Sequence, residues 1–204
     1  MQGYILNTQN VRDEDIIATI LTKDHIYKTY RFYGARHSNV ANGYKIDFEL
    51  ENNEKFLPKL HNVLHLGFLW LNDRSKLIIW QQFIRLLFFH LKDAQIIDGF
   101  YFEILEKMSL KLLVQDAKRV VVQSYVEILD YEGRKNMDFF CFLCDEKIEE
   151  NVALVRGFLF AHEKCVFKKG FKKSDIFELF DTNSTIHLND EKIDKLYDIV
   201  CFGL

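Results

Sequence analysis

Between Tyr44 and Leu50 the chain alternates without a break. Tyr44, Ile46, Phe48 and Leu50 share one face, while Lys45, Asp47 and Glu49 share the other. A period of two over seven residues predicts a strand with one buried side, so Tyr44 is read as core. "IYKTYRFY" (26–33) alternates as well: Ile26, Lys28, Tyr30 and Phe32 lie on one face, Tyr27, Thr29, Arg31 and Tyr33 on the opposite one. Asn42-Gly43 is a turn signal between these two strands. "GYILN" and "DIIATIL" add two more, and a fifth fits within "KLHNVLHLGFLWL", which makes a small antiparallel barrel plausible.

The pattern changes near "NDRS" (72–75). Beyond it the apolar spacing and segment lengths are helical. Ser75 is the expected cap of a helix to about Lys92, apolar nearly all round and therefore expected to be buried. "FYFEILEKMSLKLLV" and "AKRVVVQSYVEILDY" predict two further helices, the second stopped near Gly133; Ser174 and Asn189 are candidate caps for two short ones. The fold class is α+β: an N-terminal β-barrel over 1–73, then a helical domain over 74–204. A Cys/His segment over 138–168 is inserted in the second domain.

That segment carries the clearest chemistry. Cys141 and Cys144 form a C-x2-C pair, and seventeen residues on His162 and Cys165 repeat the spacing as H-x2-C. Two short-spaced pairs offer four tetrahedral ligands, which suits Zn²⁺. All four positions have a protein donor, so the site is expected to be closed and structural, since catalytic zinc keeps a position for water. Cys201, in "IVCFGL", is read as core. His61 and His65 have i, i+4 spacing without the carboxylate of H-E-x-x-H and are read as structural. There is no P-loop, G-x-G-x-x-G or G-x-S-x-G. A binding protein is expected rather than an enzyme, with no catalytic residue.

Composition fits a folded chain: 49% of the 204 residues are hydrophobic and 28% charged, with a single proline at Pro58. No apolar run reaches the ~18 residues of a membrane span. The N-terminus lacks the basic region of a secretory signal, and the clustered cysteines suit thiolate ligation, so a cytoplasmic location is expected. The net charge of −3 is unevenly spread. From Tyr27 to Ile46 there are four Lys/Arg and no acid; from Lys164 to Lys173 there are five Lys and no acid. OB-type grooves pair backbone-tracking cations with aromatics on which bases stack. Tyr27, Lys28, Arg31, Tyr33, Arg36, His37 and Lys45 are therefore candidate nucleic-acid contacts. Lys168, Lys169, Lys172 and Lys173 form a possible second basic patch.

The layout, and the stretches "VRDEDIIATILT" and "YRFYGARHS" with the C-x2-C placed downstream, resemble the bacterial RecO family. His37 stands where a second basic residue is common there, and His162 where four-cysteine members have Cys. The resemblance implies an OB-fold that binds single- and double-stranded DNA, with RecR and the C-terminal tail of single-stranded DNA-binding protein (SSB) as partners. It further implies strand annealing and help in loading RecA onto SSB-coated single strands, with nucleoid association and no nucleotide hydrolysis. The alternatives are a zinc-ribbon adaptor that binds protein, for example one associated with transcription, and a metal-dependent nucleic-acid enzyme.

Overall fold

The computed structural model describes residues 1–12, 14–36, 39–52 and 55–204. Two compact units divide the chain, Met1–Val114 and Gln115–Leu204. In the first, five strands close a barrel: β1 (Gln2–Arg12), β2 (Asp15–Leu21), β3 (Ile26–Arg31), β4 (Lys45–Glu51) and β5 (Lys59–His65). Their order around the barrel is β1-β2-β3-β5-β4, and β4 returns to β1. This is an OB-like barrel. All neighbours are antiparallel except β3 and β5, which meet through the single parallel pair Tyr30–Lys59. Asn42-Gly43 is a turn as expected, but β3 and β4 are not adjacent strands. Gly43 has φ 86, and its carbonyl accepts the Trp80 indole N–H at 2.8 Å. A Cβ there would meet that indole, so glycine is required twice over.

The barrel interior is filled by Ile5, Ile16, Ala18, Ile20, Val40, Ile46, Phe48 and Leu60, with Tyr44 packed against them as the alternation predicts. His65 stacks on Tyr44 at 3.9 Å between ring centres, and burial lowers its pKa. His61 meets Glu51 at 3.0 Å. Both histidines thus have structural partners.

Helices α1 (Arg74–His90) and α2 (Phe100–Lys111) belong to the barrel's unit, so the change of element type near residue 73 precedes the end of that unit. The cap of α1 is Asp73 and not Ser75: its Oδ1 accepts the amides of Ser75 and Lys76 and the Ser75 hydroxyl. A carboxylate accepts these donors more strongly than a serine hydroxyl. Trp80, Phe83, Ile84 and Leu87 are the buried residues of α1, at i, i+3, i+4, i+7 spacing, whereas Ile78 and Phe89 are exposed. The helix buries one stripe rather than its whole surface. Tyr4 of β1 packs edge-on against Phe102 of α2 and tilted against Trp80 of α1.

The second unit holds α3 (Ala117–Tyr131), α5 (Lys173–Thr182) and α6 (Asp190–Val200), with a short helix α4 (Glu163–Val166). A small sheet of β6 (Asn151–Leu154), β7 (Phe160–Ala161) and β8 (Phe171–Lys172) runs in the order β7-β6-β8. Gly133, at φ 66, ends α3 in the place the sequence marks. Asn189 caps α6 through the Lys192 amide. The α5 helix starts at Lys173, one residue before its expected cap.

Candidate nucleic-acid cleft and metal centre

An open cleft of about 580 Å³ lies on the barrel, lined by Val11, Arg12, Tyr30, Phe32, Phe56, Leu57 and Lys59. Val11 and Arg12 come from the tip of the β1–β2 hairpin, Tyr30 from β3 and Phe56 and Leu57 from the β4–β5 connection. These are the strand and the two loops that form the ligand face of OB barrels. Phe32 is 52% and Phe56 75% exposed, and Tyr30 meets Phe32 edge-on at 5.0 Å. Lys59 Nζ stands 5.9 Å over the Phe32 ring and 3.7 Å from Glu51. Exposed rings beside cations suit a strand of bases and phosphates.

Asp15 anchors the turn beside the cleft. One carboxylate oxygen accepts the Tyr30 hydroxyl and the other the Tyr33 amide at 2.8 Å. The Tyr30 bond, then the Tyr33 bond, holds its pKa below the ordinary carboxylate value, and the same contact raises that of Tyr30.

Strand register corrects the expected face of β3. Tyr27, Thr29 and Arg31 lie opposite Ile20, Ala18 and Ile16, which fill the barrel. Paired residues project to the same side of a sheet, so these three share the inner face and Lys28 and Tyr30 the outer one, although the half-buried Arg31, at the strand end, also lines a shallow pocket with Phe32, Lys59 and Asn62. Thr29 is buried and donates to the Ala18 carbonyl. Tyr27 stacks on His25 at 5.5 Å. Burial lowers the Arg31 pKa, and its Nη1 donates to the Leu60 carbonyl.

The strand ends at Arg31, so Tyr33 belongs to the turn, at φ 51, with its side chain exposed. Arg36 lies 5.4 Å over the Tyr33 ring and is ion-paired with Glu14. His37 lies outside the described residues. Lys45 is a second correction. Its side chain is only 17% exposed, its Nζ is 2.7 Å from Glu106, and it lies over the rings of Tyr4 and Phe102. It fastens β4 to α2. Of the seven expected contacts, Lys28, Tyr33 and Arg36 present an exposed side chain among the described residues. The cleft adds Arg12, Phe32, Phe56 and Lys59, which are not among the contacts expected from sequence. The available signal was the outward set Lys28, Tyr30, Phe32, whose orientation only the β2 pairing reveals.

In the second unit the donor atoms of Cys141, Cys144, His162 and Cys165 all lie within 4.8 Å of one another. Cys144 Sγ is 3.3 Å from His162 Nδ1, and Cys165 Sγ is 4.0 Å from Cys144 Sγ and 3.9 Å from His162 Nδ1. Tetrahedral bonds of ~2.3 Å give ligand–ligand edges of about 3.8 Å, so the cluster can hold a metal ion. The Cys141–Cys144 loop is a tight knuckle: the Asp145 amide returns to the Cys141 carbonyl and Asp145 adopts φ 57. His162 and Cys165 are brought together by the first turn of α4. His162 Nε2 contacts the Lys147 carbonyl at 3.2 Å, which turns Nδ1 toward the ligands. Burial raises the Cys141 pKa, but the amides of His162, Leu143 and Cys144 outweigh it and hold the thiol down to about 6. Cys165 is pushed up to about 11 by burial and the neighbouring sulfurs. Cys201 lies outside the cluster, at the C-terminal end of α6.

In the lysine run, Lys168, Lys169 and Lys172 are exposed. Lys173 instead donates to the Ile148 carbonyl at 3.0 Å and lies over the Phe139 ring. No helix among the described residues is long and apolar enough to cross a membrane.

Residues 1–71 match the family model described as RecO N terminal. No curated protein matches the chain. The matched residues take in all five strands, which supports DNA binding by the barrel and a RecO-like role in DNA repair and recombination. Residues 1–71, the barrel, are thus similar to the RecO N-terminal domain, and this match supports a RecO-family assignment.

Proposed function

We propose that the protein is a non-enzymatic mediator of DNA repair and recombination whose barrel cleft holds single-stranded DNA. The observation that carries this reading is the cleft: two exposed phenylalanines, with Arg12 and Lys59, at the position where OB barrels bind strands. Bases stack on Phe32 and Phe56, and the two cations follow the phosphates, so binding is sequence-tolerant. Duplex DNA engages the same cations without the stacking. Annealing of complementary strands, and assistance to RecA on SSB-coated strands with RecR and the SSB tail as partners, extend this reading along the family resemblance. The work is done in the cytoplasm, at the nucleoid.

The metal is zinc, since three thiolates and an imidazole in a tetrahedron are its usual donors, and its role is structural because four protein ligands leave no open position. Titration of random-sequence single strands at two salt concentrations tests the proposal. Affinity is expected to fall steeply with salt and to persist without nucleotide; absence of binding at low salt would refute it.

A further inference from the structure

The turn after the last metal ligand displays an aromatic ring that packs on little. Phe167 follows Cys165 by two residues and ends α4 in the left-handed region, at φ 52 and ψ 40. It is 94% exposed. This backbone conformation is disfavoured for a bulky residue, and an exposed ring recovers no burial in return. The turn is nevertheless held firmly. The Glu163 carbonyl accepts the amides of Phe167 and Lys168, and Glu163 Oε1 accepts the Gly170 amide at 2.6 Å. Gly170 lies so close to β6 that a Cβ would stand 2.5 Å from the Val152 carbonyl oxygen.

Four exposed lysines, Lys164, Lys168, Lys169 and Lys172, flank the ring along the chain. Lys168 Nζ stands 5.7 Å over a second ring, Phe202, which is 66% exposed. Three acids around the turn are engaged, Glu163 with the turn itself, Glu191 with Lys195 at 2.7 Å and Asp175 with Lys192 at 2.6 Å, while the exposed Glu149 and Glu150 line a hollow with Lys164 on its other side.

We propose that this turn is a second nucleic-acid surface, built on the metal unit and separate from the barrel cleft, that takes a single strand. Phe167 and Phe202 offer stacking faces, and the lysines meet phosphates. An acidic peptide would satisfy the lysines alone, whereas a strand of bases satisfies the rings too. Because the turn starts at a ligand, the surface exists only while the metal holds Cys165. It rests on different residues from the cleft and stands without it.

The test uses the full chain, its metal content checked by elemental analysis, and a labelled oligothymidylate. Phe167→Ala and the triple variant Lys168→Gln/Lys169→Gln/Lys172→Gln are each made twice, in the parent and in a chain carrying Phe32→Ala and Phe56→Ala. In both backgrounds the triple variant is expected to flatten the log–log salt slope by about 2, at ~0.7 per phosphate contact. Phe167→Ala should weaken binding on the order of tenfold with the slope unchanged. Chelation should erase both differences. If the barrel variants bind as the parent does while these effects remain, the cleft reading fails and this one stands. Metal-loaded turn variants that bind like their backgrounds would overturn it. So would an acidic peptide that binds more tightly than the oligonucleotide and responds to the lysines but not to Phe167.

Discussion

Lys45 shows how one contact decides a residue's role. With its charge 2.7 Å from Glu106 and its stem against Tyr4 and Phe102, it is part of the packing of β4 on α2. The Tyr4 hydroxyl donates to the same carboxylate at 2.6 Å, and burial, reinforced by Glu106, raises its pKa. Removing one partner leaves a half-buried charge without its counterion. Lys45→Ala is therefore expected to cost about 1–3 kcal/mol of stability in thermal or urea unfolding. The salt slope of DNA binding should stay unchanged. Arg31→Ala belongs to the same class: it should lower the melting temperature and leave the slope alone, whereas Arg36→Ala, exposed beside Tyr33, should change stability little. An acid-free run in sequence marks both arginines and Lys45 alike. What separates them is a carboxylate 61 residues away and the register of a neighbouring strand, neither of which is a local property.

At the scale of elements, the metal segment and the Asp15 turn behave differently. The knuckle, β6, β7, α4 and β8 are short pieces joined by few backbone bonds, and an ion held by the cluster would tie the knuckle to α4. Metal binding to small Cys/His sites is worth an apparent ~10 kcal/mol or more. A chelator, or Cys141→Ser, should unfold residues near 139–172, seen as loss of hydrogen-exchange protection there, while strands β1–β5 stay protected. Gly170→Ala should also destabilise this segment, because its Cβ would strike the Val152 backbone. The four-residue cluster was readable because C-x2-C and H-x2-C are local spacings that a knuckle and a helical turn each satisfy alone. The face of β3 was not, because period-two alternation names two faces but does not say which one points inward. For the Asp15 turn the sign is set by a depressed carboxylate pKa. Its contribution is complete above the ordinary value of about 4 and fades as pH falls through the lower folded-state value. Asp15→Asn should mobilise Tyr33, which NMR relaxation at neutral pH would detect.

For the whole molecule, the barrel was legible because five strand candidates and one clean core face leave few topologies. The expected nucleic-acid contacts centre on Tyr27, Arg31 and Tyr33, whereas the proposed cleft joins residues from three separate stretches: 11–12, 30–32 and 56–59. No window of sequence contains it. The central claim is that this cleft grips single-stranded DNA by two cations and two rings. The most direct measurement is the salt dependence of oligonucleotide affinity for the parent, for Arg12→Gln/Lys59→Gln and for Phe32→Ala/Phe56→Ala, each shown to melt like the parent. The account predicts a slope flattened by about 1.4 in the charge variant, at ~0.7 per contact. It predicts an unchanged slope with affinity lowered on the order of tenfold or more in the ring variant. Parent-like affinity and slope in both folded variants would contradict it.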